Sequence, residues 1–224
     1  MGLFSGQYER EGAGRPMPEG GAARYFAVLF SQFWKLVGAN LLFVLFSLPI
    51  VTLPAALCAL DRICLLLYSR GYCYLWQDFL GQFRESLVKS LPPTLLFLLL
   101  CLFGYYSMSL GLTNAALPLW SMLFWLVGIL ATVAGICWGG YYYVLSAMQA
   151  LDNKQLMKNA RLLCMIRPGK AFSVLLVVLA ALGLTAGLMP VSLVLVALII
   201  PALCQYSVTF LVYELAEEFV ISEE

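Results

Sequence analysis

Residues 40–62, NLLFVLFSLPIVTLPAALCALDR, constrain this chain more than any other stretch. They begin as a run apolar enough to enter a bilayer, are interrupted by Pro49 and Pro54, and end on Asp61 and Arg62 while still among apolar residues. Proline lacks the N–H that a helix interior uses, and its ring clashes with the preceding turn, so a helix reaching Pro49 must stop or kink. Pro54 suits the first turn of a new helix, where the missing donor costs nothing. Ser47 or Thr52 can satisfy a backbone group freed by the break. The pattern predicts two helical segments, with an acid and a base near the middle of the second. Sequence neighbours do not face each other on a helix, so Asp61 and Arg62 each need another partner or a wet cavity.

Apolar residues make up 62% of the 224 and charged residues 11%, against about 45–50% and about 25% in an average soluble domain. A water-soluble domain of this size still needs a polar surface, so lipid must be the solvent for much of this one. The net charge of +1 gives no bulk attraction to nucleic acid; membrane lipid is the expected partner. Seven cysteines (Cys58, Cys64, Cys73, Cys101, Cys137, Cys164, Cys204) are scattered without a C-x-x-C pair, and histidine is absent. The cysteines read as small apolar packing residues, and their spacing offers no zinc site. Lack of histidine excludes a Ser-His-Asp or Cys-His nucleophilic site. No motif calls for a metal or another cofactor, and the chain reads as non-enzymatic.

The expected fold is all-α: a polytopic helical membrane bundle of about six hydrophobic segments with two amphipathic helices on the cytoplasmic side. Residues 1–23 read as a mobile tail, 24–213 as one transmembrane helical domain, and 214–224 as an acidic tail with five glutamates. The first apolar run starts too late and is too long for a secretory signal, and Gly6 stands where a myristoylation signal wants Ser or Thr. The first segment runs from residue 23 or 33 to 51. The second, 54–69, reaches only about 24 Å, short for a ~30 Å hydrocarbon layer and compatible with a re-entrant arm. The others are 93–112, 119–148 (too long for a perpendicular crossing), 171–189, and a sixth reaching 212 after a turn at Pro190.

Residues 72–91 place Trp76, Phe79 or Leu80, Phe83, Leu87 and Leu91 on one face, with Glu85 and Lys89 as an i,i+4 pair. Such a helix either lies in the membrane interface or packs, solvated, on the bundle. Residues 151–170 are the most basic. Asp152 is the expected N-cap, and Lys154, Lys158, Arg161, Arg167 and Lys170 form a candidate patch for anionic lipid, or simply fix topology. Gly135, Gly139 and Gly140 mark close helix approach, and Tyr141, Tyr142 and Tyr143 are expected in an aromatic belt. Twice, an amphipathic helix leads through proline into two apolar runs, an echo of the duplicated units of transporters.

Positive charge decides the topology. With six crossings both termini are cytoplasmic, and of the thirteen bases only Arg62 lies within a membrane segment. With five, residues 33–69 cross once, and Arg10, Arg15, Arg24 and Lys35 fall outside. The positive-inside bias favours six.

The run Asn40-Leu41-Leu42 with Ser47-Leu48-Pro49-Ile50-Val51-Thr52-Leu53-Pro54-Ala55 resembles the signature of the YesL family, bacterial integral membrane proteins of unknown function. Trp76, Asp78, Phe79 and Phe83, then Lys158-Asn159-Ala160, fit the same pattern. Where the family usually has Gly before the second proline, this chain has Leu53. The resemblance extends over about 30–172 and implies a multi-pass helical protein of the bacterial cytoplasmic membrane. It also implies, by genomic association, an accessory role in oligosaccharide import with transporter subunits as partners. It supplies no catalytic or ligand residues.

An ionisable residue at membrane depth is by default a functional candidate. Asp61 and Arg62 are therefore the candidate working charges, and Asn40, Pro49, Thr52 and Pro54 the helix-break motif. The first expectation is a membrane subunit or accessory factor of a transport system; the alternative is an independent small-solute transporter or channel. Carboxylate chemistry at Glu217-Glu218 is the weakest reading, because those residues belong to a solvated charge run.

Overall fold

The computed structural model describes residues 21–113, 118–148, 151–189 and 191–216. The expected mobile tail up to residue 20, the loop around 114–117, the turn at Pro190 and the acidic tail from 217, including Glu217-Glu218, lie outside them. Among the described residues there are ten α-helices and no strand. They are α1 (Gly21–Ser31), α2 (Phe33–Ser47), α3 (Leu53–Arg70), α4 (Leu75–Lys89), α5 (Leu91–Thr113), α6 (Pro118–Met148), α7 (Asn153–Ile166), α8 (Pro168–Gly187), α9 (Val191–Leu198) and α10 (Ile200–Ala216).

The prolines act as their chemistry requires. Pro49 is extended (φ −76°, ψ 117°), a 3-10 turn Ile50–Thr52 follows, and Pro54 sits in the first turn of α3. The Thr52 hydroxyl lies 2.6 Å from the Phe46 carbonyl, an acceptor in the last turn of α2, and 2.7 Å from that of Pro49. Helix α2 therefore does not continue into α3; the two pack on one another. Leu53 has ordinary helical angles, so nothing there asks for glycine. Gly71 does need to be glycine: it ends α3 at φ 75°, and its N–H closes on the Leu67 carbonyl.

Helices α3, α6 and α10 pack on each other at the centre, and α2, α5 and α8 pack outside them, on α3, α6 and α10 respectively. The amphipathic helices cover the inner ones: α1 and α4 on α3, α7 on α6. The order amphipathic, outer, inner thus occurs three times, and the first unit includes a helix unforeseen in the sequence. Helix α1 is separate from α2 and bent from it by 74° at Gln32. Helix α4 buries Phe79 and Phe83 against the Phe46 ring of α2, so it packs on the bundle.

Four helical stretches are long and apolar enough to cross a membrane: Ile50–Arg70, α5, α6 and α8. The bent pair α1 and α2 passes the same criterion together, and α10 is a shorter apolar helix. The second hydrophobic segment is therefore longer than the sequence indicated, because the 3-10 turn and the residues through Arg70 extend it. Helix α6, 31 residues, would span about 46 Å. It divides accordingly: its first half has mostly outward apolar side chains, while its end enters the core. Tyr141, Tyr142 and Tyr143 lie in that end, 0%, 1% and 8% exposed. They are core residues where an aromatic belt was expected, because α7 folds back over this part of α6.

Candidate functional site

The middle of α3 is where the inner helices meet. Successive residues on a helix point about 100° apart, so Asp61 and Arg62 serve different neighbours. Asp61 is fully buried and faces α10: Gln205 Nε2 donates to its Oδ2 at 2.9 Å. The Thr209 hydroxyl lies 3.5 Å from Oδ1 but only 2.9 Å from the Gln205 carbonyl. One hydroxyl proton serves one acceptor, and the shorter contact takes it. Gln205 is therefore the main donor to Asp61. The ion pairs among the described residues, Lys89–Glu85 at 3.1 Å and Lys170–Glu214 at 2.9 Å, do not include it.

Arg62 faces α6. Its Nη1 donates at 2.6 Å to the Ala147 carbonyl, one of the last four carbonyls of that helix, which have no partner within it. A cation there also opposes the helix dipole favourably. The same device recurs at the end of α3, where Arg24 of α1 donates to the Tyr68 and Ser69 carbonyls at 2.8 and 2.6 Å. Its guanidinium also sits 5.3 Å from the centre of the Tyr68 ring. Arg62 and Arg24 thus join separate parts of the chain by satisfying helix ends.

Asn40, read from the sequence as part of the break in its own segment, serves a different one. Pro201 interrupts the last apolar run, so the Ala197 carbonyl has no N–H four residues on. Asn40 is fully buried, and its Nδ2 donates to the Val196 and Ala197 carbonyls at 2.9 and 2.8 Å. Its Oδ1 accepts from Ala202 N–H at 3.0 Å. One carboxamide closes both sides of the α9–α10 discontinuity, using both donors and its acceptor. Gln205 and Pro201 were missed by sequence reasoning. The available signal was a single carboxamide in a largely apolar helix, the kind of residue that a membrane segment keeps for a reason.

The basic patch divides. Lys154, Lys158, Arg161 and Arg167 are exposed, whereas Lys170 is partly buried and paired with Glu214 of α10. Asp152 sits at the N-cap position of α7 without a side-chain capping bond; Asn153 ties that end instead, bonding the Lys89 carbonyl and the Tyr142 hydroxyl. Among the described residues no three His, Cys, Asp or Glu side chains gather as a metal site.

The profile of a family described as "Protein of unknown function, DUF624" matches residues 36–108. That range runs from α2 into α5 and holds Asn40, Pro49, Thr52, Pro54, Asp61 and Arg62, but not their partners on α6, α9 and α10. No curated protein and no solved structure matches the chain.

Proposed function

We propose that this chain is a non-enzymatic integral membrane protein working as an accessory or subunit-like factor of a transport system. The observation that carries the reading is how the two charges of α3 are used. Asp61 and Arg62 are engaged in joining α3 to α10 and α6. What the chain offers to other molecules is then its outside: the apolar faces of α5, α6 and α8 and the basic side of α7. A bilayer-embedded scaffold with a charged surface helix suits attachment to a larger assembly. The resemblance to the YesL-type proteins suggests, by association, oligosaccharide import in a bacterial cytoplasmic membrane, and the positive-inside bias suggests six crossings with both termini cytoplasmic.

Affinity purification from native membranes, after crosslinking, tests it. Recovery together with an importer's ATPase or permease subunits is expected. Repeated recovery of the chain alone would count against the proposal. Reporters fused before Phe33 and after Glu224 should both report the cytoplasmic side; opposite sides would reject the topology.

One observation favours the alternative, an independent small-solute transporter. The α9–α10 discontinuity adjoins the helix that meets Asp61, and broken helices often form transport sites. On that reading, solute flux into liposomes disappears in Asp61→Asn while the variant keeps its melting temperature. Flux that survives the change removes Asp61 from any such pathway.

A further inference from the structure

Helices α1, α8 and α10 enclose a groove of about 430 Å³, within the roughly 300–1,000 Å³ of sites for small molecules. Each helix lends it one face at i,i+4 spacing: Ala22 and Phe26 of α1, Ser173 and Val177 of α8, Ser207 and Leu211 of α10. Its few polar atoms are already engaged. The Ser207 hydroxyl donates to the Leu203 carbonyl at 2.8 Å, which leaves it to accept from the Tyr25 hydroxyl at 2.8 Å. The Ser173 hydroxyl donates to the Gly169 carbonyl at 3.1 Å. A polar solute entering the groove would exchange its bonds to water for hydroxyls that already have partners, whereas a hydrocarbon chain gives up nothing.

The groove has a charged end. Lys170 lies one turn before Ser173 on the same face of α8, and Glu214 one turn beyond Leu211 on the same face of α10. The two pair at 2.9 Å. An ammonium has three N–H donors, and this pair uses one. Lys170 keeps 30% of its side chain exposed, and Arg167, three residues earlier, is exposed. Two bases against one acid leave this end positive. Helix α8 is long and apolar enough to cross a membrane, so its first turn falls at a membrane face. From Lys170 to Val177 the helix rises about 10 Å. The groove thus runs from a basic rim into the hydrocarbon of one leaflet.

We infer that this groove holds one acyl chain of an anionic phospholipid, whose phosphate sits against Lys170 and Arg167. The apolar walls take the chain, and the basic rim selects the headgroup by charge. A lipid held this way fills the space between α1 and α8 on the surface of α10.

The test reconstitutes the full chain in phosphatidylcholine vesicles containing a trace of phosphatidylglycerol with a photoreactive diazirine midway along one acyl chain, and maps the labelled peptides by mass spectrometry. Label should concentrate on α1, α8 and α10 at the groove. It should exceed, by at least about fivefold, the label from phosphatidylcholine carrying the same diazirine, the effect of one base near anionic lipid. Ala22→Trp, at an exposed position, should fill the groove and remove most of that label while labelling of α5 stays as in the parent. Lys170→Gln should lower the headgroup preference about fivefold. Glu214→Gln breaks the same ion pair yet should keep or raise the preference, which separates a phosphate contact from a loosened joint between α8 and α10. Label as dense on α5 as in the groove, meaning ordinary lipid contact, would overturn the inference. So would equal labelling by the two headgroups, or a groove that takes no label because the chain's own N-terminal segment fills it.

Discussion

Two parts of this protein hold helices together in different ways. In the α5–α6 hairpin the backbones nearly touch. A Cβ placed on Gly128 would lie 2.7 Å from both the Gly104 carbonyl and Met108, and one on Gly104 would collide with the Thr132 hydroxyl. Ser107 and Ser121 each bond a carbonyl of the facing helix at 2.8 Å. This is packing by small residues, which suits lipid because two apolar helices gain little there by hiding from the solvent. Around α3 and α2 the contacts are instead polar side chains: Asn40 of α2 to α9 and α10, Asp61 to Gln205, Arg62 to Ala147 and Arg24 to Tyr68. Ile50–Arg70 and α5 are equally apolar over their 18-residue apolar windows, yet 67% of one window is buried inside the protein and 22% of the other. The lesson is that hydropathy measures compatibility with lipid and not contact with it.

Gly128→Leu should be the most damaging single change, costing about 3 kcal/mol or preventing hairpin formation, since backbone must move to admit the side chain; equilibrium unfolding in mixed micelles measures it. Asn40→Ala removes three hydrogen bonds, each worth about 0.6 kcal/mol between membrane helices, so about 2 kcal/mol in total. Its particular sign is partial rescue by Pro201→Ala, which restores an N–H for the Ala197 carbonyl. A double mutant no better than Asn40→Ala alone would show that Asn40 does something else. Arg62→Met should cost about 1 kcal/mol through the uncapped end of α6. Lys158→Gln should leave stability within about 0.5 kcal/mol but weaken binding to anionic vesicles by about 1 kcal/mol. Equal binding to neutral and anionic vesicles would reduce the patch to a topology signal.

Much of the architecture was legible in sequence because it rests on local chemistry. Pro49 and Pro54 announce the break before α3, the spacing of Phe79 and Phe83 gives the buried face of α4, and Arg167-Pro168 separates α7 from α8. Partners were not legible. Asn40 and Val196 are 156 positions apart, and no periodicity encodes which broken helix a carboxamide will mend. Tyr141 to Tyr143 were misplaced because tyrosine at the end of a long apolar run suits a membrane interface as well as a core. Only the return of α7 over α6 decides between them. Arg24 looked like a cytoplasmic base, and nothing local shows that it turns inward to cap α3.

The acid of α3 acts as a joint between inner helices. A double-mutant cycle on Asp61→Leu and Gln205→Leu, read by equilibrium unfolding, addresses it directly. A joint predicts that Gln205→Leu is costly when Asp61 is present and nearly neutral when it is absent, with a coupling of about 1–2 kcal/mol. Costs that simply add would mean that the two side chains do not depend on each other, and α3 would not be held to α10 as described.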